Sequence, residues 1–333
     1  SRLKPVPEPG DKVVVQLHDW KHRRDRITGE IVNRLGRTHE PRAELLGIFE
    51  KFNLATSFPA DVEREAAMLP NEVHPRELAH RLDYRESSVF TIDPDDAKDF
   101  DDALSYEVLE RGDVRVGVHI ADVTSFVKPN TPLDEDAKMR ATTVYMVHRS
   151  IPMLPRLLSD NMCSLVPGED RLSFSVTWKM DKEGNVLEEP WFGRTIIRSC
   201  VKMSYEAAQE MLDDRFTPPS AEPPAPEAAA KPVVKRGSVF AKDLTAPEHT
   251  VEEIIDDVKV LNAMAESLRK KRFEDGSLTL DDAKMYFCLD EDKMPIDVGV
   301  YVRTASHFLI EEFMLLANKS VAKRIHTAFP DRA

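Results

Sequence analysis

Cysteine is scarce in this chain. Three copies in 333 residues, Cys163, Cys200 and Cys288, have a spacing that fits neither a disulfide framework nor a zinc site, which points to a reducing compartment. Excess positive charge is missing too. The formal net charge is −13 and the pI about 5.3, which is not the balance of a general nucleic-acid binder. A local basic channel can nevertheless coexist with an acidic exterior. No apolar run approaches the length of a transmembrane helix. No signal-peptide pattern opens the sequence, and no internal repeat is found. A chain of 333 residues can bury a large core and divide into more than one domain.

What is abundant is aspartate, concentrated in one place. The run Asp93-Pro-Asp95-Asp96-Ala-Lys-Asp99-Phe-Asp101-Asp102-Ala103 holds six aspartates in eleven residues. Carboxylates this dense repel one another and cost folding energy. A divalent cation removes that cost, and Asp93, Asp99, Asp101 and Asp102 have a spacing suited to hold one. Hard oxygen ligands suit Mg²⁺, or Mn²⁺ in its place, and a pair of such ions is the usual clamp for hydrolysing a phosphodiester. Acidic runs are more often solvated loops. Here apolar Val89-Phe90-Thr91-Ile92 leads in and Ala103-Leu104-Ser105-Tyr106 follows, so the carboxylates are embedded. A calcium loop of the EF-hand type is excluded, because Lys98 and Leu104 stand where it needs Gly and Glu.

Along the chain, Lys12–Leu17 and Ile27–Asn33 read as strands joined by the basic turn Lys21–Arg26, with Trp20 beside it. Residues 42–69 carry apolar side chains at helical spacing, punctuated by Pro59 and Pro70. Residues 114–127 and 172–180 alternate as strands, and Asp181–Asn185 reads as a hairpin turn. Residues 250–272 and 306–327 read as helices. The Pro/Ala/Glu-rich stretch ahead of both cannot bury a core and is expected to be a disordered insert at 217–247.

These segments together carry a resemblance. Thr91–Ala103 resembles the signature of the ribonuclease II (RNB) family of 3′→5′ exoribonucleases. Val116–Val127, Arg140–Tyr145, Ile151–Leu165 and Ile310–Asn318 agree with further family segments in register. Within the family, Arg171-Leu-Ser-Phe-Ser-Val176 and Trp191-Phe-Gly-Arg-Thr-Ile-Ile-Arg198 are most similar to the Dis3-like exonuclease 2 branch, with fungal Ssd1-type relatives close by.

The resemblance implies an α+β fold. Residues 1–40 would be the C-terminal part of a cold-shock (OB-like) β-barrel, 41–80 a helical linker, and 81–333 an RNB catalytic domain. That domain would be a mixed sheet with surrounding helices and an RNA channel, incomplete at its C-terminus. The chain would be a fragment, from Ser1 to Ala333, expected to have little or no activity alone.

Its signature aspartates Asp93, Asp99, Asp101 and Asp102 would hold Mg²⁺. Asp101 and Asp102 would be catalytic, and Asp95 and Asp96 accessory charge. Tyr145 would stack near the 3′-terminal base. Arg140 is a candidate phosphate contact, and Glu311 or Glu312 a contact to the ribose or the metal shell. His119 and Asp122 read as structural. The expected activity is Mg²⁺-dependent, processive 3′→5′ hydrolysis of single-stranded RNA to nucleoside 5′-monophosphates. The expected setting is cytoplasmic RNA decay by a monomer, with oligo(U)-tailed RNA favoured and no membrane involved. The alternative is an inactive RNB-fold protein that binds RNA as a translational or mRNA regulator.

Overall fold

Strand and helix signals at the start of the chain fold as two small, adjoining pieces. The computed structural model describes residues 6–19, 27–70, 72–147, 149–217, 249–280, 285–290 and 295–332. Trp20, the basic turn Lys21–Arg26 and all but Thr217 of the 217–247 insert lie outside the described residues. β1 (Asp11–Leu17) and β2 (Gly29–Arg37) pair antiparallel. α1 (Pro41–Lys51) packs on this hairpin, with Pro41 in the first turn, where its missing N–H leaves no bond unmade. The helical pattern over 42–69 is two helices rather than one. α1 ends as Asn53 takes a left-handed φ of +50°, and α2 (Ala60–Ala67) restarts after Pro59. A short helix, α3 (Pro75–Leu78), follows.

The rest is built on a seven-stranded sheet. Its strands in chain order are β3 (Leu82–Tyr84), β4 (Ser88–Asp93), β5 (Asp102–Val108) and β6 (Val114–Ala121). After α4 (Pro132–Arg140) and the small hairpin of β7 (Val144–Tyr145) and β8 (Ser150–Ile151) come β9 (Asp170–Met180), β10 (Trp191–Arg198) and β11 (Val201–Ser204). The spatial order is β11-β4-β5-β6-β9-β10-β3. Only the β11–β4 and β10–β3 pairs are parallel. The strand expected over 114–127 stops at Ala121. Asp122 accepts hydrogen bonds from the hydroxyls of Thr124 and Ser125, and this local bonding draws the chain into a turn instead of a ladder.

Period-two alternation assigns the two faces. On one face Val114, Val116, Val118, Val176, Trp178 and Met180 form the main core with α5 (Tyr205–Leu212), α6 (Val251–Glu274) and α7 (Ala305–Ala328). α6 begins with a capping box between Thr250 and Glu253 and buries Ile254, Val258, Leu261 and Met264 at helical spacing. A second hairpin, β12 (Met285–Leu289) with β13 (Pro295–Val300), precedes α7. On the opposite face Val89, Ala103, Ala121 and Ile197 pack under α2 and α4 through Val62, Ala66 and Leu133.

That second face also holds a buried polar seam. His119 is fully buried between the hydroxyls of Ser175 (2.6 Å) and Ser105 (2.9 Å), and Thr195 bridges Ser173 and Ser175. Gly117 makes room for it, since a Cβ there would sit 2.4 Å from Ser105 Oγ and 2.8 Å from His119 Nε2. Asp122 is buried against Arg81 at 2.8 Å. His119 and Asp122 thus make their polar contacts within the fold.

Candidate active site

The acidic run lies where two neighbouring strands part. β4 and β5 pair from Ser88↔Tyr106 to Phe90↔Leu104 and then separate, so Asp93 ends one strand and Asp102 begins the other. The connecting loop is anchored at several points, although Pro94, Asp95, Asp96, Lys98 and Asp101 stay exposed. Phe100 is buried in the second-face core. Ser164 Oγ donates to Lys98 O at 2.8 Å and accepts from Phe100 N–H at 3.0 Å. Leu165 N–H donates to Phe100 O and Ala121 N–H to Asp101 O. From β11, Lys202 Nζ donates to the carbonyls of Asp95 (3.2 Å) and Ala97 (3.0 Å) and lies over the Phe100 ring.

This anchoring places all four signature aspartates, with Asp96 and Tyr145, on one cavity of about 690 Å³. Burial pushes the Asp93 carboxyl up to about 7, and the charges of Asp102 and Asp101 add to the effect. Burial followed by Asp101 raises Asp102 to about 6. Burial followed by Asp99 raises Asp101. Asp93 Oδ2 and the Thr91 hydroxyl, which still draws the Asp93 carboxyl down against burial, are both buried without a hydrogen bond of normal geometry. A buried, unpartnered carboxylate oxygen is costly in the absence of a cation.

Tyr145 reaches the site from the β7–β8 hairpin. Its hydroxyl donates to Asp99 Oδ2 at 3.0 Å while the residue stays 71% exposed, which leaves the ring available for stacking. Burial and the Asp99 carboxylate push its hydroxyl up to about 12.

The other expected RNA contacts lie elsewhere. Arg140 ends α4 with its side chain nearly buried, ion-paired with Asp136 at 2.7 Å. It donates to the carbonyls of Ala55 and Ser57 and stacks on Phe58. It ties α4 to the α1–α2 connection and does not line the acidic cavity. Glu311 and Glu312 face α6. Glu312 is 3% exposed and takes a two-pronged ion pair from Arg272, whereas Glu311 engages Arg272, Arg269 and Arg303. Neither lines the cavity.

Two residues beside the aspartates escape a motif-based reading. Lys202 holds the acidic loop from more than a hundred residues away, and spacing carries no such signal. Tyr205 begins α5 one residue after β11 pairs Ser204 with Asp93. Burial, then the charges of Asp102 and Asp93, raise its hydroxyl well above the ordinary value. The ring of His307 stacks on it at 4.0 Å and 11°. Ser204 ahead of Ala207, Ala208 and Met211 is a readable helix start.

Hard carboxylate oxygens, raised carboxyls and an orphaned buried oxygen fit a divalent cation. Among the described residues no three acidic, histidine or cysteine side chains converge as a finished ligand set. The four aspartates line the cavity as donors that are not gathered into a closed set.

A family model described as the RNB domain matches residues 81–333, and one described as a cold shock domain matches residues 3–59. The DIS3-like exonuclease 2 of Xenopus tropicalis is 41% identical over 96% of this chain and 36% of its own length. A protein named inactive exonuclease DIS3L2, from Arabidopsis thaliana, is 40% identical over 95% of this chain and 28% of its own length. The chain thus spans about a third of these relatives. In fold it resembles Mycoplasma genitalium RNase R solved with ribose-methylated single-stranded RNA. The TM-score is 0.79 at 22% identity, over 97% of this chain and 46% of that one.

Proposed function

The chain belongs to the RNB-domain family, and from that premise we propose that it carries the metal-binding core of a Mg²⁺-dependent, processive 3′→5′ exoribonuclease. The observation that carries this reading is the single cavity lined by all four aspartates, with a buried, unpartnered Asp93 oxygen on its wall. Asp93, Asp99, Asp101 and Asp102 would hold Mg²⁺, with Mn²⁺ as a substitute. When bound, the ion supplies polarisation of the scissile phosphate and a more acidic water. Asp101 and Asp102 would act at the reacting phosphate. Tyr145 offers its exposed ring to the 3′-terminal base, a sequence-tolerant grip on a single strand, and its bond to Asp99 fixes the ring beside the carboxylates. Products would be nucleoside 5′-monophosphates. The same proposal includes a preference for oligo(U)-tailed RNA, a place in cytoplasmic decay and a monomeric state.

A second reading, an RNA-binding protein without hydrolysis, has a specific observation behind it. A relative named as inactive matches nearly as well. The four aspartates are intact here, which favours the enzyme. The test uses the complete gene product containing these residues, with 5′-labelled single-stranded RNA ending in U or A, in Mg²⁺ or EDTA, beside Asp101→Asn. Shortening from the 3′ end that needs metal and is lost in the variant is the expected result. RNA binding with no shortening in either protein would establish the second reading.

A further inference from the structure

An acidic cavity repels the polyanion it is meant to receive. Phosphates entering it need cations on its wall. Three cationic side chains line the cavity: Lys98, Arg149 and Arg156. Arg156 is committed to Asp160 at 2.8 Å and to Ser150 O. Arg149 is not. Among the described residues its guanidinium has neither an acid partner nor a hydrogen bond, and it stacks 5.0 Å from the ring centroid of Phe49 on α1. The other arginines of this region, Arg81, Arg140 and Arg171, are nearly buried and spend their donors on fixed protein oxygens.

The backbone holds Arg149 in place. Met146 N–H donates to Arg149 O at 2.9 Å and closes the tip of the β7–β8 hairpin. The same hairpin carries Tyr145, bonded to Asp99. It therefore touches the acidic loop on one side and α1, which packs on the β1–β2 hairpin, on the other.

We propose that Arg149 is a phosphate-binding residue at the mouth of the acidic cavity, aimed by its stack on Phe49, so that α1 positions the grip on an incoming single strand. A flat ring under the guanidinium orients its fork without consuming its donors. Tyr145 and Arg149, four residues apart on one hairpin, would then hold the base and a phosphate of the same stretch of RNA.

This inference rests on the RNA-binding reading above, and the test separates the two. Anisotropy of a fluorescein-labelled single-stranded RNA is followed in EDTA across a salt series, with the wild type, Arg149→Gln, Arg149→Lys, Phe49→Leu and the Phe49→Leu/Arg149→Gln double variant. One phosphate contact in a single strand contributes about 0.7 to the slope of log affinity against log salt. Arg149→Gln is expected to lower that slope by about this amount and to weaken binding by about tenfold. Arg149→Lys should restore the slope. Phe49→Leu should weaken binding less, and add almost nothing in the Arg149→Gln background. A variant that is merely less stable would not change the slope. Wild-type binding with an unchanged slope in Arg149→Gln would overturn the proposal and leave the RNA reading intact. No wild-type binding would overturn both.

Discussion

Single residues here work against ordinary side-chain chemistry, and His119 is the plainest case. Burial holds it down at about 3, so it sits neutral between two serines. The folded value lies below the unfolded value of about 6.5. Its contribution is therefore complete above pH 6.5 and is lost as pH falls toward 3, because the unfolded chain binds the extra proton. Between pH 6.5 and pH 5 this amounts to about 2 kcal/mol. Unfolding free energies of wild type and His119→Gln from urea titrations should converge by about that amount over this interval, and parallel pH profiles would refute it. Lys202 makes a second case. It supports the loop through the carbonyls of Asp95 and Ala97, so Lys202→Met should weaken Mn²⁺ binding by about tenfold, the usual scale for support behind ligands. Calorimetric titration checks this, and an unchanged affinity would show the contact to be incidental. At this scale the sequence was legible for the aspartates, because a dense run has few uses. It was also legible for Tyr145, through the family pattern. It was silent on Lys202 and Arg149, whose meaning depends on what the fold sets beside them.

At the scale of elements, alternation and helical spacing placed β9, α6 and α7 to within two residues at either end. The failures have local causes. The left-handed Asn53 and Pro59 split one helical pattern into α1 and α2. Side-chain bonding at Asp122 ended β6 early. Glu311 and Glu312 show the limit of motif reading. An adjacent acidic pair on a helix suggests two different directions, yet both meet arginines here, from α6 and from Arg303. Glu312 locks α7 to α6 through Arg272 in a nearly dry setting. Removing Glu312 leaves Arg272 with only its longer contact to Glu311, so Glu312→Ala should cost about 3 kcal/mol of stability, the low end for breaking a buried pair. Chemical denaturation reads this directly, and a loss no larger than that of an exposed pair would mean that water reaches Arg272.

Across the whole molecule, one design recurs. The main core under α5, α6 and α7 fixes the sheet from one side. The second-face core under α2 and α4 clamps the acidic loop from the other through Phe100 and Ser164. The aspartates are thereby held together despite their mutual repulsion, and folding stability is spent on a site that a cation would relieve. The central claim is that Asp93, Asp99, Asp101 and Asp102 bind a divalent metal. The most direct measurement is the thermal midpoint of the protein at pH 7.5 with and without Mn²⁺, for wild type, Asp101→Asn and Asp93→Asn. We expect saturating Mn²⁺ at a hundred times its dissociation constant to stabilise the wild type by about 2.7 kcal/mol. Both variants should start more stable than the metal-free wild type and respond weakly to the ion. Equal responses in all three proteins, or none in the wild type, would contradict the account.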